Sequence, residues 1–183
     1  MKTLYIDPVI YNSKPQDNKR FEKELKVYDL LDSLQIPYSR IDHDATDTIE
    51  DCIEVEKMFH ISICKNLFLC DSSKQNFYLL MMPGDKKFVT KDLKAQINSS
   101  RLSFANESYM EEFLDITPGS VSVLGLMNDL NNKVQLIIDE DVLKEEYIGC
   151  HPCVNTSSLK IKHHDLIHKF LPFINHKEIL VRL

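Results

Sequence analysis

The sequence predicts a mixed α/β fold in which helices wrap a mixed sheet. Two observations carry this. Helix-period and strand-length segments alternate irregularly along the 183 residues. Several strand candidates are also joined by short polar connectors that suit hairpins better than crossover helices. The GxGxxG and P-loop lysine patterns of nucleotide-cofactor folds are missing, which removes support for a doubly wound parallel sheet.

The elements follow in order. Residues 1–18 are polar and broken by Pro8 and Pro15, and read as an N-terminal extension to a single domain over 19–183. Phe21, Leu25, Tyr28, Leu31 and Leu34 recur at helical spacing. Tyr38 to Ile41 is a short strand after Pro37. Asp47 and Glu50 have the spacing of a capping box for a helix through Phe59, with Ile49, Cys52, Ile53 and Phe59 inward. The apolar runs Asn66–Cys70 and Phe77–Met82 flank the polar stretch 71–76, a hairpin signal. Thr90 opens a short helix to Ile97, Arg101–Phe104 is a strand, and Glu107–Leu114 a helix. A turn at Thr117–Ser120 leads into a strand over Val121–Leu124, expected to pair with Val134–Asp139. A short helix spans Asp139–Lys144. Strand-like Glu146–Ile148 and Leu159–Ile161 come next, then a helix over His164–Phe173 and a strand over Glu178–Leu183.

Composition narrows the function. The chain is 43% hydrophobic and 27% charged, ordinary for a globular domain. No apolar stretch approaches the roughly 20 residues needed to span a bilayer, and the start lacks a signal peptide's apolar region. A cytoplasmic protein is expected. A net charge of −6 disfavours broad binding to a nucleic-acid backbone. It leaves room for a small footprint near two basic clusters: Lys86, Lys87, Lys91, Lys94 and Arg101, then Lys160, Lys162, His163, His164 and Lys169. For any one of these lysines, solvated surface charge is the plainer reading. Cys150-His-Pro-Cys153 has the spacing of a zinc half-site or a redox pair. A structural zinc needs four ligands and no second CxxC exists. His163, His164 and His168 read equally well as part of an amphipathic helix. No metal or cofactor is expected, and most of the cysteines should be small buried apolar groups.

The stretch Gly149-Cys-His-Pro-Cys-Val-Asn-Thr-Ser-Ser158 is turn-rich and polar between two strands. Glycine permits close backbone approach, proline fixes the loop, and His151, Asn155 and Thr156 offer donors and acceptors. It reads as a recognition loop. Lys65 precedes an apolar strand, so its ammonium belongs at a sheet rim, where it can neutralise a phosphate or a developing oxyanion. Asn66 beside it offers a donor and an acceptor. His151 is either an acid–base group or a residue that bonds backbone. Ser120 and Ser122 lack a GxSxG elbow and an assignable base, which argues against a serine nucleophile.

Five motifs occur in one order: Lys65-Asn-Leu-Phe-Leu, Leu80-Met-Met-Pro-Gly-Asp-Lys-Lys, Ser100-Arg-Leu-Ser-Phe-Ala105, Pro118-Gly-Ser-Val-Ser122 with Gly125-Leu-Met-Asn-Asp129, and Gly149-Cys-His-Pro-Cys-Val-Asn-Thr156. In this the chain resembles the free-standing prolyl-tRNA synthetase-associated editing domains of the YbaK-like superfamily, ProXp-ala or PrdX type, from about Arg20 to Leu183. The resemblance implies a curved, barrel-like sheet and cofactor-free hydrolysis in trans of Ala-tRNA(Pro), with a ribose hydroxyl of the substrate helping to activate water. It carries the family's key lysine onto Lys65, the neighbouring asparagine onto Asn66 and the glycine–histidine–proline loop onto Gly149, His151 and Pro152, with Lys65 and His151 expected to be catalytic and Asn66, Gly149 and Pro152 to bind substrate. Ser120, Ser122, Asn155 and Thr156 are further candidates for substrate binding, and Lys86 and Lys87, from the first basic cluster, for tRNA contact. The partners implied are the acceptor end of mischarged tRNA(Pro) and prolyl-tRNA synthetase. Cys150 stands where the family more often has phenylalanine. The competing readings are a deacylase of Cys- or Ser-tRNA, and a non-catalytic module that binds tRNA or a synthetase.

Overall fold

The hairpin expected around residues 71–76 organises the larger of two sheets. A computed structural model of the protein describes residues 4–17, 19–46 and 49–183, the side chains of 49–51 excepted. β2 (Cys64–Asp71) and β3 (Phe77–Pro83) pair antiparallel across that connector. The Asp71 carboxylate shapes the turn by accepting hydrogen bonds from the Asn76 side chain, the Ser73 hydroxyl and the amides of Gln75 and Asn76. These bonds, led by that of Asn76, hold its pKa at about 2.

β4 (Leu102–Phe104) pairs antiparallel with β2, while β5 (Val134–Asp139) lies parallel to both β3 and β8 (Glu178–Val181). The five-stranded sheet therefore runs β4-β2-β3-β5-β8 and is mixed. A second, three-stranded sheet has the order β1-β7-β6, from Tyr38–Asp42, Ser157–Lys162 and Tyr147–Cys150. The mixed α/β class holds. The barrel does not close: β6 is four residues long and meets the larger sheet through one bridge, Ile63↔Gly149.

α1 (Glu22–Ser33) buries Val27, Tyr28 and Leu31 in the main core, as its period requires. Between α1 and the small sheet lies a charged cluster that hydrophobic patterning does not announce. Arg20 donates to both Asp42 oxygens, to Glu24 and to the Ser157 hydroxyl, and Arg40 donates to Asp42. Glu24 is 1% exposed and also accepts from the Tyr28 hydroxyl. Ahead of this cluster, residues 4–17 run along β1, with antiparallel bridges Ile6↔His43 and Tyr11↔Arg40. They cover a strand edge that would otherwise stand open.

α2 (Ile49–Phe59) packs Val55 and Phe59 inward against Ile41 and Ile63. Ile53, expected inward, is 42% exposed. The helix has one narrow buried face, and Ile53 lies off it. The capping pair expected of Asp47 and Glu50 falls outside what is described. α3 (Thr90–Ile97) sets Leu93 and Ile97 against one face of the large sheet, and α4 is Glu107–Leu114.

The strand expected at Val121–Leu124 is instead a buried 3-10 turn, Val123–Asn128, whose Leu124 amide donates to the capping Ser122 hydroxyl. A short apolar run has no period by which to tell a buried strand from a buried helical turn, and here Val123, Leu124 and Leu126 are all interior. The Asp129 carboxylate takes the amides of Lys133 and Val134 and the His176 imidazole. β5 thus leaves its turn toward β3, not toward residues 121–124. A second 3-10 helix, Glu140–Lys144, follows β5.

The last helical run comprises α5 (His163–Asp165), a π-helical stretch (Leu166–Phe170) and α6 (Leu171–Phe173). Pro172 has no N–H to continue the ordinary ladder, and a wider turn accommodates that gap. No helix among the described residues is long and apolar enough to cross a membrane.

Asp129 and His176 are both buried. Burial works against the imidazolium, but the Asp129 hydrogen bond outweighs it and raises the His176 pKa. Burial likewise works against the Asp129 carboxylate, and His176 with two amides lowers its pKa. The pair's contribution is complete only between the two titrations. It is lost as pH falls through the Asp129 pKa and as pH rises through that of His176. Asp129→Asn should cost about 2–4 kcal/mol. In thermal melts the loss should be largest at mildly acidic pH and smaller above the histidine's titration.

Candidate active site

Ile63 fixes where β2 begins. Its amide donates to Glu56 Oε1 of α2 at 2.6 Å. Its carbonyl oxygen lies 2.6 Å from where a Cβ on Gly84 would sit, and a Cβ on Gly149 would come 2.7 Å from its Cγ1 and 3.1 Å from its Cα. Only hydrogen fits at either glycine, so the Gly84 turn, the end of α2 and β6 all close on one residue. Lys65 follows two positions later.

Lys65 lines a cavity of about 450 Å³ with Cys52, Ile53 and Glu56 of α2, Ser62–Cys64, Gly84 and Asp85. Its ammonium donates to the Lys86 carbonyl at 2.9 Å. One of its three protons is thereby fixed, leaving two for a ligand. Asn66 points the other way. Strand alternation puts Lys65, Leu67 and Leu69 on the face covered by α3, while Asn66 shares the main-core face with Phe68. Asn66 donates to the Cys64 carbonyl at 3.3 Å, and its Oδ1 is buried without a hydrogen-bond partner among the described residues.

The Gly149–Thr156 loop is stitched to residues 43–46. The amides of His43 and Thr46 donate to the carbonyls of Thr156 and Asn155, each at 3.0 Å. A Cβ on Gly119 would lie 3.5 Å from Asn155 Nδ2, so the Thr117–Ser120 turn also meets this loop. Pro152 is buried within it. His151 is 9% exposed, and its Nδ1 lies 2.9 Å from the Ser157 carbonyl. A carbonyl only accepts, so Nδ1 carries the proton and Nε2 keeps its lone pair. Burial lowers the His151 pKa to about 4, and its ring stands edge-on to His43 at 6.1 Å. His43 bonds Ser158 through Nε2 and the Asp44 carbonyl through Nδ1.

The structure brings some of the expected residues together and separates others. Gly149 touches the approach to Lys65, and Asn155 meets the turn that carries Ser120. His151, Ser120, Ser122, Asn155 and Thr156 are not among the described residues lining the Lys65 cavity. Ser122 is fully buried as the cap of the 3-10 turn. Lys86 departs from its expected place on tRNA phosphates. Its ammonium lies 2.7 Å from both Asp139 Oδ2 and Asp141 Oδ2, which neutralise it. Lys87 is exposed and makes no ion pair among the described residues. Cys150 and Cys153 are buried in the main core. Burial raises both thiol pKa values, that of Cys153 to about 12, so they stay protonated packing groups. Glu56 and His43 were not picked out from the sequence. Each stands alone in its segment, and the fold gives them the Ile63 amide and the Ser158 hydroxyl as partners.

A profile of the aminoacyl-tRNA editing domain matches residues 43–169, which include every site segment just described. The chain belongs to the aminoacyl-tRNA editing domain family. A prolyl-tRNA editing protein ProX from Acetoanaerobium sticklandii is 35% identical over 138 residues, 74% of this chain and 83% of that protein. A prolyl-tRNA synthetase associated domain-containing protein 1 from Danio rerio is 28% identical over 166 residues, 87% of this chain and 85% of that protein. The fold matches a crystal structure described as a candidate trans-editing enzyme for prolyl tRNA synthetase, with TM-score 0.67, 13% identity, and coverage of 90% of this chain and 99% of that one. As an editing domain the protein is an aminoacyl-tRNA deacylase, a hydrolase of the ester between amino acid and tRNA.

Two outcomes test this geometry. Gly149→Ala forces a methyl against the Ile63 side chain and Cα and should cost about 1–3 kcal/mol, read as a lower urea midpoint at unchanged slope. His151 binds its proton more weakly folded than unfolded, so stability should fall as pH drops from the ordinary 6.5 toward about 4. His151→Gln should flatten that dependence in melts compared at pH values above and within the window.

Proposed function

We propose that the protein edits in trans, hydrolysing alanine from tRNA(Pro), with residues 19–183 as one catalytic domain. The observation that carries this is the Lys65 ammonium, held on a backbone carbonyl in the wall of an organic-ligand-sized cavity. That volume exceeds an alanyl group alone and suits the terminal nucleoside together with its ester. Lys65 offers two protons to a phosphate or to the oxygen on which charge develops. Glu56 and Asp85 in the same wall suit the α-ammonium of an aminoacyl group. The ester is activated, so positioning it with a water supplies much of the rate. His151 is neutral, with a fixed tautomer that leaves Nε2 as an acceptor. Asn155 and Thr156 belong to the loop that delimits the acceptor end.

The task has a physical rationale. A synthetic pocket shaped for proline rejects the smaller alanine by only about 1–3 kcal/mol per methylene lost. A second hydrolytic pocket that admits the smaller side chain corrects the error by size. Prolyl-tRNA synthetase, as the source of the error, is the natural partner.

Purified protein assayed on Ala-, Ser-, Cys- and Pro-tRNA(Pro) and on Ala-tRNA(Ala) should prefer Ala-tRNA(Pro). Equal or faster hydrolysis of Pro-tRNA(Pro) overturns the proposal. In single-turnover assays Lys65→Ala should lose about 10²-fold or more while remaining folded. Lys65→Arg should recover only part, because a planar fork replaces a compact ammonium. A wild-type rate for Lys65→Ala would move the chemistry elsewhere.

A further inference from the structure

An aromatic and basic strip lies on the same face of the large sheet as Lys65. Phe104, in edge strand β4, pairs with Leu69, and antiparallel partners share a face, so Phe104 stands on the Lys65–Leu67–Leu69 side. It is 63% exposed. Phe88 packs partly into the same apolar cluster and meets Phe104 edge-on, with centroids 6.5 Å apart and planes at 68°. The chain segments that carry this pair are rich in cations. Residues 85–101 carry five lysines or arginines against two aspartates, in a chain of net charge −6. Lys86 is neutralised by Asp139 and Asp141. Lys87, Lys91, Lys94 and Arg101 are exposed and form no ion pair among the described residues.

Isolated surface phenylalanines need no explanation. An exposed ring backed by a half-buried one, in segments that carry unpaired cations and lead to a cavity with a further cation, matches what single-stranded nucleic acid recognises: π-faces for bases and cations for phosphates. Four residues separate Lys65 from the register partner of Phe104, roughly 13 Å along the strand. A few nucleotides of single strand cover that distance.

We propose that the single-stranded 3′ end of the tRNA runs along the exposed edge of this face, past Phe104 and Phe88, into the Lys65 cavity. Its bases stack on Phe104 and Phe88, and its phosphates meet Lys87, Lys91 and Arg101. The direction of entry rests on the Lys65 cavity being the active site; the RNA-binding strip itself does not.

Binding of uncharged tRNA(Pro), intact and with its CCA end removed, is measured by fluorescence anisotropy for wild type, Phe104→Ala, Phe104→Leu and Lys87→Glu/Lys91→Glu. Phe104→Ala should weaken intact tRNA about tenfold and leave binding of the truncated tRNA unchanged. Phe104→Leu should behave like Phe104→Ala, because an aliphatic side chain keeps the apolar surface but loses the stacking plane. The double charge reversal should weaken intact tRNA and flatten its salt dependence. Wild-type affinity in Phe104→Ala, equal losses on both RNAs, or full affinity in Phe104→Leu overturns the inference. Since uncharged RNA is the probe, a protein that failed to deacylate Ala-tRNA(Pro) but showed this pattern would overturn the proposed reaction and keep the strip.

Discussion

The close backbone approach at Ile63 is the constraint on which the rest of the site depends. Two sheets, a helix and a tight turn meet at one residue. They can do so because Gly84 and Gly149 present no side chain and because Glu56 takes the one amide left facing the helix. Remove any of these and β2 no longer starts in the same place. Lys65, two residues on, inherits its position from backbone contacts rather than from side-chain packing. That is the firmest support a long flexible side chain can receive. The glycine of the recognition loop therefore serves less to touch a ligand than to dock the loop's strand onto the strand bearing the lysine.

The polar interior of the small sheet does a related job for the loop. Ser157 and Ser158 are adjacent on β7 and point to opposite faces. Ser157 joins Arg20, Glu24 and Asp42, while Ser158 joins His43 and lies near His151. Charged and imidazole groups are costly to bury alone, and here each is met by several partners. The N-terminal segment belongs to the same arrangement. It pairs with β1 next to Arg40, whose guanidinium lies 4.6 Å from the centroid of the Tyr11 ring.

Much of this was legible in the sequence. Period and turn chemistry located α1, the β2–β3 hairpin and α4, and the position of Lys65 before an apolar run correctly put it at a strand start. What escaped depends on long-range pairing. Val121–Leu124 is apolar enough for a strand, but Ser122 caps a 3-10 turn there, and β5 finds β3 and β8 instead. Lys86 reads as a surface cation until the fold delivers Asp139 and Asp141, more than fifty residues away, to its ammonium. His151 reads as either a titrating group or one that bonds backbone, and only the fold shows it buried with its Nδ1 on the Ser157 carbonyl. Local pattern reports which residues are apolar and where the chain turns. It does not report which charges will meet.

Asn66 has a consequence of its own. Its Oδ1 is buried on the main-core side of the sheet with no donor to satisfy it among the described residues, an arrangement that costs roughly 1–3 kcal/mol. Selection for stability alone would favour an apolar residue of similar shape there. The amide keeps the empty fold less stable than its sequence could make it, and that deficit is recoverable by whatever brings an N–H or O–H within reach. Marginal stability at this position is thus a latent affinity for a donor, stored in the strand before anything binds.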